Sequence, residues 1–541
     1  MLPIYRLREM VLPSARAEQL RMQKDLANIF KNDGDSFVFK NAKDLGKAPK
    51  LCVFGAVDIN SASLQGPLIV AARDAGFRVY VLLSAPSSKL EKLYSYFGAT
   101  EFIYFNKYMS QDPNIDMEHF CQGLTNLDQA MSKTHRGLGC GRYALSTFLR
   151  QNRSGKVDFS DPETLSAFKE KLVTSICIIN AAKGLFVDYK FDQISFFDRG
   201  YTPEGELFEA ALLNGCKAIT MNAAHRDNLL LFKRYGPHNT QLHPSALSDE
   251  TWSKVKAARW SEQKWNDLYE ELKGCYETGQ WFSEVGTQFD KKIIEKKYVI
   301  KEMGLDPDKK TVVCFSHIFW DATFFWGDDL FEDYEHWFIE TLKIAAQNDH
   351  LNWIFKSHPA NVVKDNRDGF KGERAEISAI KRTLGELPDH IKLMDSEHDI
   401  STFSLFTAID YCLTVRGTIG MEAACFGIPV ITAGTGRYDD LGFTYDHNSR
   451  EAYLSTISNL GKLTKMTEQQ IELARRYLYA VLIERPLSLE TINFNFVKDK
   501  KATLSVSLSH KQADTDSFAN DVVILREWLL SNDDDILMSE H

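Results

Sequence analysis

The chain has 541 residues, which is too long for one typical hydrophobic core, so two domains with additional helices are expected. Its content of 44% hydrophobic and 26% charged residues is ordinary for a globular protein in water. The formal net charge of −10 at pH 7 argues against broad nucleic-acid binding, which needs a basic face, but it is compatible with a local basic cleft.

Targeting and redox features are absent from the pattern of residues. No run of 18 apolar residues occurs, and no continuous apolar core follows the charges of residues 1–8, so we expect a cytoplasmic protein with neither a membrane span nor a signal peptide. The nine cysteines are scattered without a C-x-x-C pair, and several fall in predicted strands. This distribution favours buried thiols over disulfides or a zinc site.

Strand and helix patterns alternate along most of the chain, which predicts an α/β protein with two Rossmann-like domains. Residues 1–46 are predicted to be an N-terminal helical extension with a helix over 14–30. Residues 47–290 form the predicted first domain and residues 291–500 the second. Residues 501–541 are predicted to hold a helix over 515–532, followed by a mobile acidic tail.

The first domain begins with a predicted strand over 51–55, a loop over 56–67 and a helix over 68–75. The loop lacks the G-x-G-x-x-G pattern, which argues against a dehydrogenase. Asp58 and Ser61 make it polar enough to bind a sugar, although a merely solvated loop is an alternative. Further on, glycines precede a predicted helix that carries Arg142. This helix start is predicted either to hold an anion, such as a carboxylate of a ligand, or to be a structural turn.

The strand predicted over 193–197 ends in Asp198, and Glu204 follows near the start of the next helix. Polar groups at the carboxyl end of a parallel strand are typical of the floor of a cleft. Asp198 is therefore the first candidate for the acid/base group and Glu204 the second. The alternative is that Asp198 caps a turn and Glu204 complements the helix dipole. A long charged helix over 249–278 is predicted to lie across the domain boundary.

In the second domain, a strand over 311–315 delivers Ser316, His317, Trp320 and Asp321 to its carboxyl end. Trp320 is suited to stack on a base or a sugar, and Asp321 to hold a loop amide or a substrate hydroxyl, although plain packing is the alternative for the aromatic residues.

A second strand, over 353–355, is followed by three further candidates for a ligand site, Lys356, His358 and Pro359. A lone histidine on a loop is usually structural, so the position after a strand is what makes His358 a candidate.

A third group of candidates lies in the stretch 409–444, which reads as strand, turn, short helix, strand and glycine-broken loop, the order of a parallel βαβ unit. Gly417 and Gly420 bracket a turn that would let the backbone approach an anion, and the Thr418 hydroxyl is predicted at the N-cap. Glu422, one turn further, would reach a ribose hydroxyl. Arg416 and the loop amides near Gly434 complete the predicted phosphate site.

Three blocks carry a resemblance to a known family: F-S-H-I-F-W-D-A at 315–322, I-F-K-S-H-P-A-N at 354–361, and R-G-T-I-G-M-E-A-A-C-F-G-I-P-V-I-T-A-G at 416–434, with R-Y-D-D-L-G-F-T at 437–444 just after it. Together they resemble the capsule polysaccharide biosynthesis family, which is glycosyltransferase-like. The resemblance implies the GT-B arrangement, in which two Rossmann-like domains face each other across a cleft and the C-terminal helix crosses back to the first domain. It also implies that the candidates of the second domain form the donor site, and that Asp58, Ser61 and Arg142 are candidates for the acceptor site.

The same resemblance implies roles for particular residues. Trp320 and Asp321 match a W-D-A motif, and His358-Pro359 resembles the HP motif of several sugar-nucleotide transferases, in which the imidazole contacts the donor phosphate. An imidazole N–H beside a departing phosphate stabilises the charge that accumulates there. An acidic donor, such as a CMP-linked keto sugar acid of the Kdo type, would also need an arginine, for which Arg142, Arg199 and Arg416 are candidates.

The sequence thus predicts a glycosyltransferase that uses a nucleotide sugar and a glycan or lipid-linked glycan acceptor, with peripheral association with a membrane-bound export machinery as a further implied partner. No cofactor is expected, and because no D-x-D follows a strand, neither is a metal ion. Two alternatives stay open: a nucleotide-sugar epimerase of the same fold, and a non-catalytic glycan-binding or export-assembly protein.

Overall fold

The computed structural model describes Lys24 and residues 45–321, 324–499, 501–508 and 518–540. The helix predicted over 14–30 and nearly all of the predicted N-terminal extension lie outside these residues. In the part of the chain that is described, no helix has both the length and the apolar character needed to cross a membrane.

The first sheet has seven strands in the spatial order β12-β6-β5-β4-β1-β2-β3. Strands β1 to β5 run parallel, whereas β6 and β12 are antiparallel to their neighbours. The strands are β1 (Lys50–Phe54), β2 (Arg78–Leu83), β3 (Glu101–Tyr104), β4 (Gln193–Phe196), β5 (Lys217–Ala223), β6 (Leu229–Tyr235) and β12 (Leu487–Ser488).

The second sheet has five strands, all parallel, in the order β11-β10-β7-β8-β9. Strands β7 and β8 are buried along their whole length, as expected for a parallel sheet with helices on both faces. The strands are β7 (Thr311–Phe315), β8 (Asn352–Lys356), β9 (Ile391–Met394), β10 (Tyr411–Thr414) and β11 (Val430–Thr432), and a separate hairpin pairs β13 (Ile492–Phe496) with β14 (Leu504–Leu508).

Helices connect these strands and cover both sheets. The α-helices are α1 (Ile59–Leu64), α2 (Gly66–Asp74), α3 (Ser88–Tyr96), α4 (Met117–Phe120), α5 (Leu127–Met131), α6 (Cys140–Asn152), α7 (Pro162–Asp188), α8 (Glu204–Leu213), α9 (Asp249–Ala257), α10 (Glu262–Thr278), α11 (Lys296–Met303), α12 (Tyr334–Ala346), α13 (Ala360–Asp368), α14 (Ala375–Leu384), α15 (Thr402–Leu405), α16 (Thr418–Cys425), α17 (Arg450–Ser458), α18 (Glu468–Tyr479) and α19 (Asn520–Leu530).

Short 3₁₀ helices and one π-helical turn complete the described elements. The 3₁₀ helices are Leu45–Lys47, Phe105–Lys107, Ser283–Val285, Leu460–Lys462 and Met538–Glu540, and the π turn is Ala480–Glu484.

The parallel strands of the two sheets have the same order, because in each sheet the chain first builds outward on one side and then returns to the centre to build on the other. The reversal falls between β1 and β4 in the first sheet and between β7 and β10 in the second. In open parallel sheets of this type, ligands bind at the carboxyl ends of the strands where the order reverses. The predicted fold of two Rossmann-like domains is confirmed.

The predicted domain limits need correction. Helices α9 and α10 pack into the apolar core of the second domain, although residues 247–290 were assigned to the first. Strand β12 pairs with β6 of the first sheet, and the hairpin β13-β14 packs on the core of that domain, although the second domain was predicted to reach residue 500. Local patterns place the elements, but burial partners distant in sequence decide the domain to which each element belongs.

The predicted mobile tail is also wrong. The Asp535 carboxylate is fully buried, and it forms ion pairs with Lys233 and Arg485 at 2.9 Å each. Arg234 donates to the carbonyl groups of Ser531 and Asp533. The acidic run therefore lies on the first domain because buried cations of that domain bind it. As predicted, helix α19 returns to the first domain, where it packs against α2.

Two predicted elements differ locally. The loop predicted over 56–67 contains helix α1, because the Asp58 carboxylate accepts a hydrogen bond from Ser61 N and caps that helix. The single helix predicted over 249–278 is two helices, and Ser261 caps the second one. The nine cysteines are all buried and unpaired, as the prediction of buried thiols requires.

Candidate functional site

Polar side chains of the second domain gather where the strand order reverses. His317 follows β7, His358 follows β8, and residues 416–418 follow β10. Since β7 lies between β8 and β10, the carboxyl ends of these three strands are adjacent. The structure therefore brings together the predicted donor-binding residues of three separate sequence blocks.

His317 connects two of these strand ends. Its Nε2 lies 3.3 Å from Val415 N and 3.4 Å from Arg416 N, and 3.2 Å from Thr414 Oγ1. Burial, and then the charges of Arg416 and His358, hold the pKa of His317 well below its usual range. A neutral ring that accepts backbone N–H groups fixes the start of the turn after β10.

Lys356 is a buried cation at the end of β8. It is only 5% exposed, and within the described part of the chain its ammonium group makes no hydrogen bond or ion pair. Burial, with the nearby charge of Lys291 acting in the same direction, lowers the pKa of Lys356 to about 7. A buried ammonium group without a partner is costly unless an anion binds it.

His358 lies two residues further on. Ala360 N donates a hydrogen bond to His358 Nδ1 at 3.2 Å, which leaves the ring proton on Nε2. Burial, and then the charges of Lys364 and Lys356, lower the pKa of His358 to about 3. The ring is therefore a neutral N–H donor near pH 7. Pro359 is the N-cap of α13 and starts that helix with a φ of −64°.

Two arginines extend the positive charge toward β10. Arg416 is 3% exposed, and its Nη2 binds the Asp329 carboxylate and, at 3.1 Å, the Asp328 carbonyl. Its Nε and Nη1 are buried without a hydrogen-bond partner among the described residues, as is Nε of Arg437. Arg437 Nη1 donates to the Arg416 carbonyl at 3.2 Å, so the two side chains are neighbours.

The helix after β10 differs from its prediction in one respect. Gly417 is the N-cap of α16, and Thr418 is its first residue, so the Thr418 hydroxyl does not cap the helix. Instead, that hydroxyl hydrogen-bonds to the Glu422 carboxylate one turn later, and Tyr276 Oη from α10 donates to Glu422 Oε2 at 2.5 Å. Burial raises the pKa of Glu422 to about 7. Two protein hydroxyls thus occupy the carboxylate that was predicted to bind ribose.

The glycines of this stretch make room for side chains. A Cβ atom on Gly420 would lie 2.2 Å from Tyr438 Oη, and one on Gly434 would lie 2.5 Å from Arg416 Nη2. Tyr438 Oη donates to the Gly417 carbonyl at 2.7 Å. The space beside these glycines was expected to admit a ligand. Tyr438 occupies it at Gly420, and Arg416 occupies it at Gly434.

Trp320 and Asp321 lie at the contact between the domains. The Trp320 ring lies between two cations, with Arg153 Cζ 4.3 Å and Lys364 Nζ 5.1 Å from its centroid. Tyr201 Oη of the first domain donates to Asp321 Oδ1 at 2.6 Å, and Lys364 binds Asp321 Oδ2. These protein contacts occupy both side chains.

Ser316 is the remaining residue after β7 that was predicted to bind the nucleotide-sugar donor. It is buried, and its hydroxyl donates to the His317 carbonyl at 2.7 Å. This hydroxyl is therefore used by the backbone at the end of β7.

The first domain presents two carboxyl groups to the space between the domains. Asp198 Oδ1 accepts from Arg199 N and Gly200 N, at 2.6 and 2.8 Å, and Glu204 Oε2 accepts from Phe197 N and Asp198 N, both at 3.0 Å. Burial raises the pKa of Glu204 to about 8. Each carboxyl group uses one oxygen to hold the turn after β4, and both line a cavity of about 800 Å³.

The three predicted acceptor residues do not meet in this cavity. Asp58 is exposed and caps α1, and Ser61 lies within that helix as the donor of the capping hydrogen bond. Arg142 forms an ion pair with Glu209, whose other oxygen accepts a hydrogen bond from Gly139 N at 2.9 Å. An anion does lie at the start of α6, as predicted, but it is a carboxylate of the protein itself.

Some residues of the site were missed in the sequence. Arg437 stands in the R-Y-D-D-L-G-F-T block, so the signal that identified its neighbours was present for it too. No sequence motif marks three further residues of the cleft. Lys364 and Arg150 reach it from the faces of helices, and Tyr201 reaches it from a turn. Only the packing of one domain on the other reveals their role.

One group of described residues has the atoms to ligate a metal ion. His225, Glu271 and Cys275 place ligand atoms within 4.8 Å of one another. Glu271 Oε1 already lies 2.6 Å from His225 Nε2 and 2.9 Å from Arg226 Nε. Because the Arg226 guanidinium compensates the carboxylate, hydrogen bonding accounts for this group without an ion.

Comparison with known proteins confirms the resemblance over the second domain. Residues 289–470 match the family model described as capsule polysaccharide biosynthesis protein. This segment contains all three sequence blocks that carry the resemblance. A search of curated proteins gave no significant match.

Solved structures give distant likenesses. A beta Kdo 2,7 transferase, KpsC of Thermosulfurimonas dismutans, is 13% identical, with 60% of this chain and 85% of that chain covered and a TM-score of 0.33. The UDP-GlcNAc 2-epimerase of Neisseria meningitidis bound to UDP-GlcNAc is 12% identical, with 79% and 95% covered and a TM-score of 0.26. An O-GlcNAc transferase mutant of Thermobaculum terrenum is 12% identical, with 86% and 70% covered and a TM-score of 0.27. Likeness at this level does not determine an activity.

Proposed function

We propose that this chain, whose residues 289–470 belong to the capsule polysaccharide biosynthesis family, is a glycosyltransferase. It moves a sugar from a nucleotide-activated donor to a surface or capsular polysaccharide, or to a lipid-linked precursor of one. The second domain binds the donor, and the first domain binds the acceptor.

The observation that carries this proposal is the group of cationic donors without partners at the reversal point of the second sheet. It consists of the Lys356 ammonium group and of buried N–H groups of Arg416 and Arg437. Buried polar groups are nearly always hydrogen-bonded, so such a group of unsatisfied donors is what an absent anionic ligand would leave. The phosphate of a nucleotide sugar supplies oxygens that satisfy these donors.

Three kinds of hydrogen-bond donor would bind the departing phosphate. His358 offers a neutral Nε2–H, Lys356 a full positive charge, and the Arg416 guanidinium its free N–H groups. Fixed donors in a water-poor site stabilise charge that develops in the transition state more strongly than water does. Because these cations supply the neutralisation, we propose that transfer needs neither a metal ion nor a cofactor.

The transfer step needs a proton acceptor on the other domain. The acceptor hydroxyl oxygen forms a bond to the anomeric carbon, and the bond from that carbon to the phosphate oxygen breaks. The hydroxyl proton moves to a carboxylate of the first domain, for which Asp198 remains the first candidate. Glu204 is the second, although burial raises its pKa to about 8, so that only a minor fraction is ionised at pH 7. Both carboxyl groups line the cavity between the domains and retain one oxygen that the turn after β4 does not use.

The identity of the donor sugar is the finer part of the proposal. Family resemblance suggests a CMP-linked keto sugar acid of the Kdo type, whose carboxylate needs an arginine. Arg142 is paired with Glu209, and Arg199 stacks on Trp326 with its Cζ 4.5 Å from the ring centroid. Arg416 and Arg437 retain free N–H groups and are the residues we assign to this carboxylate.

The test is incubation with a panel of CMP-, UDP- and GDP-sugars, with released nucleotide measured in the presence and absence of glycan acceptors and of EDTA. Acceptor-dependent release that persists in EDTA is expected, and it should be lost in His358→Ala while the fold persists. His350→Ala serves as the control, because that side chain is 94% exposed.

Three outcomes would contradict the proposal. Conversion of the nucleotide sugar without an acceptor would indicate the epimerase alternative. Binding without any release of nucleotide would indicate a non-catalytic protein. Undiminished turnover in His358→Ala would refute the role of the imidazole.

A further inference from the structure

The cavity of about 800 Å³ lies between the two domains, and its walls come from both of them. The first domain contributes the last turn of α6 and the turn after β4, and the second contributes the end of α13 and the loop after it. Because Asp198 and Glu204 belong to its lining, a molecule in this cavity lies beside the carboxyl groups to which we assign the acid/base role.

The wall toward the donor side is a contact between side chains of the two domains. Tyr201 lines the cavity, and its hydroxyl donates to Asp321 Oδ1 at 2.6 Å. Asp321 in turn binds Lys364, and the charges of both residues act on the His358 ring. The cavity is therefore next to the group of donors at the ends of β7, β8 and β10 and does not overlap with it.

The charges in the cavity are unusual for this chain. Arg153 is compensated by Asp365 and Asp368, whereas Arg150 and Lys371 form no ion pair within the described residues. Three cations of the lining, Arg150, Arg153 and Lys371, thus face the carboxylates of Asp198 and Asp368 and the Glu204 carboxyl group. Burial raises the pKa of Glu204 to about 8, so this group is largely protonated at pH 7. With Glu204 neutral, the lining has one more positive than negative charge, whereas the whole chain has a net charge of −10.

Flat aromatic surfaces accompany these cations. Tyr201 and Phe370 line the cavity from opposite domains, and Arg150 Cζ lies 4.4 Å from the centroid of the Tyr201 ring. Aromatic rings pack against the apolar faces of sugar rings, while guanidinium and ammonium groups pair with carboxylates or phosphates. The combination suits a sugar that carries an anionic group.

We infer that this cavity is the acceptor site and that the acceptor is an anionic glycan, with a carboxylate or phosphate bound between Arg150 and Lys371 and a sugar ring held between Tyr201 and Phe370. This inference rests on the proposed function, because it identifies the substrate class of the same cleft. It also replaces Asp58, Ser61 and Arg142 as acceptor residues, since the structure places none of them in the lining.

The test compares the binding of one charged and one uncharged trisaccharide by isothermal titration calorimetry, in the absence of any nucleotide sugar. The probes are trigalacturonate, which carries three carboxylates, and maltotriose, which carries none. Trigalacturonate should bind the wild-type protein at least about tenfold more tightly than maltotriose, and added salt should weaken its binding. The double variant Arg150→Gln/Lys371→Gln should lose this preference.

The matched control is Lys190→Gln, which removes an exposed charge just before β4, at the opposite end of that strand from the cavity. It should leave the binding of both trisaccharides unchanged. Equal affinities for the two trisaccharides, no binding of either, or an unaltered preference in the double variant would overturn the inference.

Failure of this inference can be distinguished from failure of the proposed function. The same titrations are repeated with CMP and UDP, which report on the donor site alone. The double variant should bind these nucleotides as the wild type does. Nucleotide binding without discrimination between the trisaccharides would reject the anionic acceptor and leave the transferase proposal standing. Discrimination between the trisaccharides without nucleotide binding would reject the transferase proposal and leave a binding site for anionic glycans.

Discussion

At the scale of single residues, the proposed donor site is distinguished by cations whose N–H groups lack hydrogen-bond partners. Lys356, Arg416 and Arg437 all retain N–H groups that no described residue accepts, in a protein where most buried polar groups have partners. A buried charge without a partner lowers stability. At this site, where three strands end side by side, two arginines with unpaired N–H groups and the unpaired Lys356 ammonium group lie together.

The pKa of Lys356 leads to a prediction on pH. Because burial lowers this pKa to about 7, the ammonium group of the free protein loses its proton as the pH rises from 6 to 8. The neutral amine pairs poorly with phosphate, so the affinity for CMP or UDP should fall roughly tenfold over this range. Titration calorimetry at several pH values measures the change.

Substitution at this position tests the assignment. Lys356→Met should bind the nucleotides weakly at every pH and should lose most of the pH dependence. Lys462→Met, which removes an exposed lysine, should behave as the wild type. A Lys356→Met protein that keeps the wild-type pH profile would show that another group is responsible for it.

The buried pair of Tyr276 and Glu422 gives a prediction on stability. Tyr276→Phe removes one of the two hydroxyls that bind the Glu422 carboxyl group, in a fully buried place. The loss should lower the free energy of unfolding by about 1–3 kcal/mol, measured by urea denaturation. Tyr298→Phe is the control, because Tyr298 is 47% exposed, and it should change this energy by much less. Equal effects of the two changes would contradict the importance of the hydrogen bond.

At the scale of elements, the sequence predicted those parts of the site that are local. The stretch from β10 to β11 was predicted in the correct order, because an apolar run, a glycine turn and a short helix are all encoded by neighbouring residues. The position of His358 after β8 followed for the same reason. Roles that depend on contacts distant in sequence could not be predicted, such as the occupation of Glu422 by Tyr276, 146 residues away.

The predicted acceptor residues show the same limit of local patterns. Asp58 and Arg142 have the residue types and positions of ligand-binding groups, but the first caps a helix and the second meets Glu209. Residue type and position near a strand end or helix start indicate a polar role. Whether the partner is a ligand or another part of the protein depends on how the helices pack.

Helix α13 is the element that joins the domains most directly. Arg153 at the end of α6 donates to Lys364 O at 2.8 Å and binds Asp365 and Asp368, all on this helix. Since α13 begins directly after His358-Pro359, Arg153→Ala should loosen it. We expect amide exchange over residues 360–368 to accelerate at least tenfold, measured by hydrogen–deuterium exchange mass spectrometry.

The control for this variant is Arg259→Ala, at an exposed arginine with no ion pair among the described residues. It should leave exchange over residues 360–368 unchanged. Unaltered exchange in Arg153→Ala would show that the contacts within the second domain suffice to hold α13.

At the scale of the whole molecule, the C-terminal segment determines how the first domain is completed. Asp535 lies between Lys233 and Arg485, and all three side chains are fully buried. Burial alone would raise the pKa of Asp535, but the charges of Arg485 and Lys233 hold it well below its usual range. The carboxylate is therefore ionised at neutral pH, and the two cations depend on it.

Removal of this charge should be strongly destabilising. Asp535→Asn leaves two buried cations uncompensated and should lower the free energy of unfolding of the first domain by about 3–5 kcal/mol, with a lower midpoint in thermal denaturation. Asp389→Asn, at an exposed aspartate, is the control and should leave the midpoint nearly unchanged. A wild-type midpoint for Asp535→Asn would mean that the C-terminal segment contributes little to the domain.

The burial of the C-terminal segment could not be predicted for a related reason. The acidic composition of residues 533–535 is typical of a solvated tail, and nothing nearby in the sequence indicates that Lys233, about 300 positions earlier, lies buried opposite. Composition describes a segment on its own. Its burial depends on a partner that only the folded chain provides.

The chain crosses from one domain to the other twice. It leaves the first sheet after β6 to build the second domain, and it returns between the π turn at Ala480–Glu484 and β12. Two peptide connections restrict the relative rotation of the two domains more than a single linker would. A cut in the backbone at either crossing would leave one connection and remove part of this restriction.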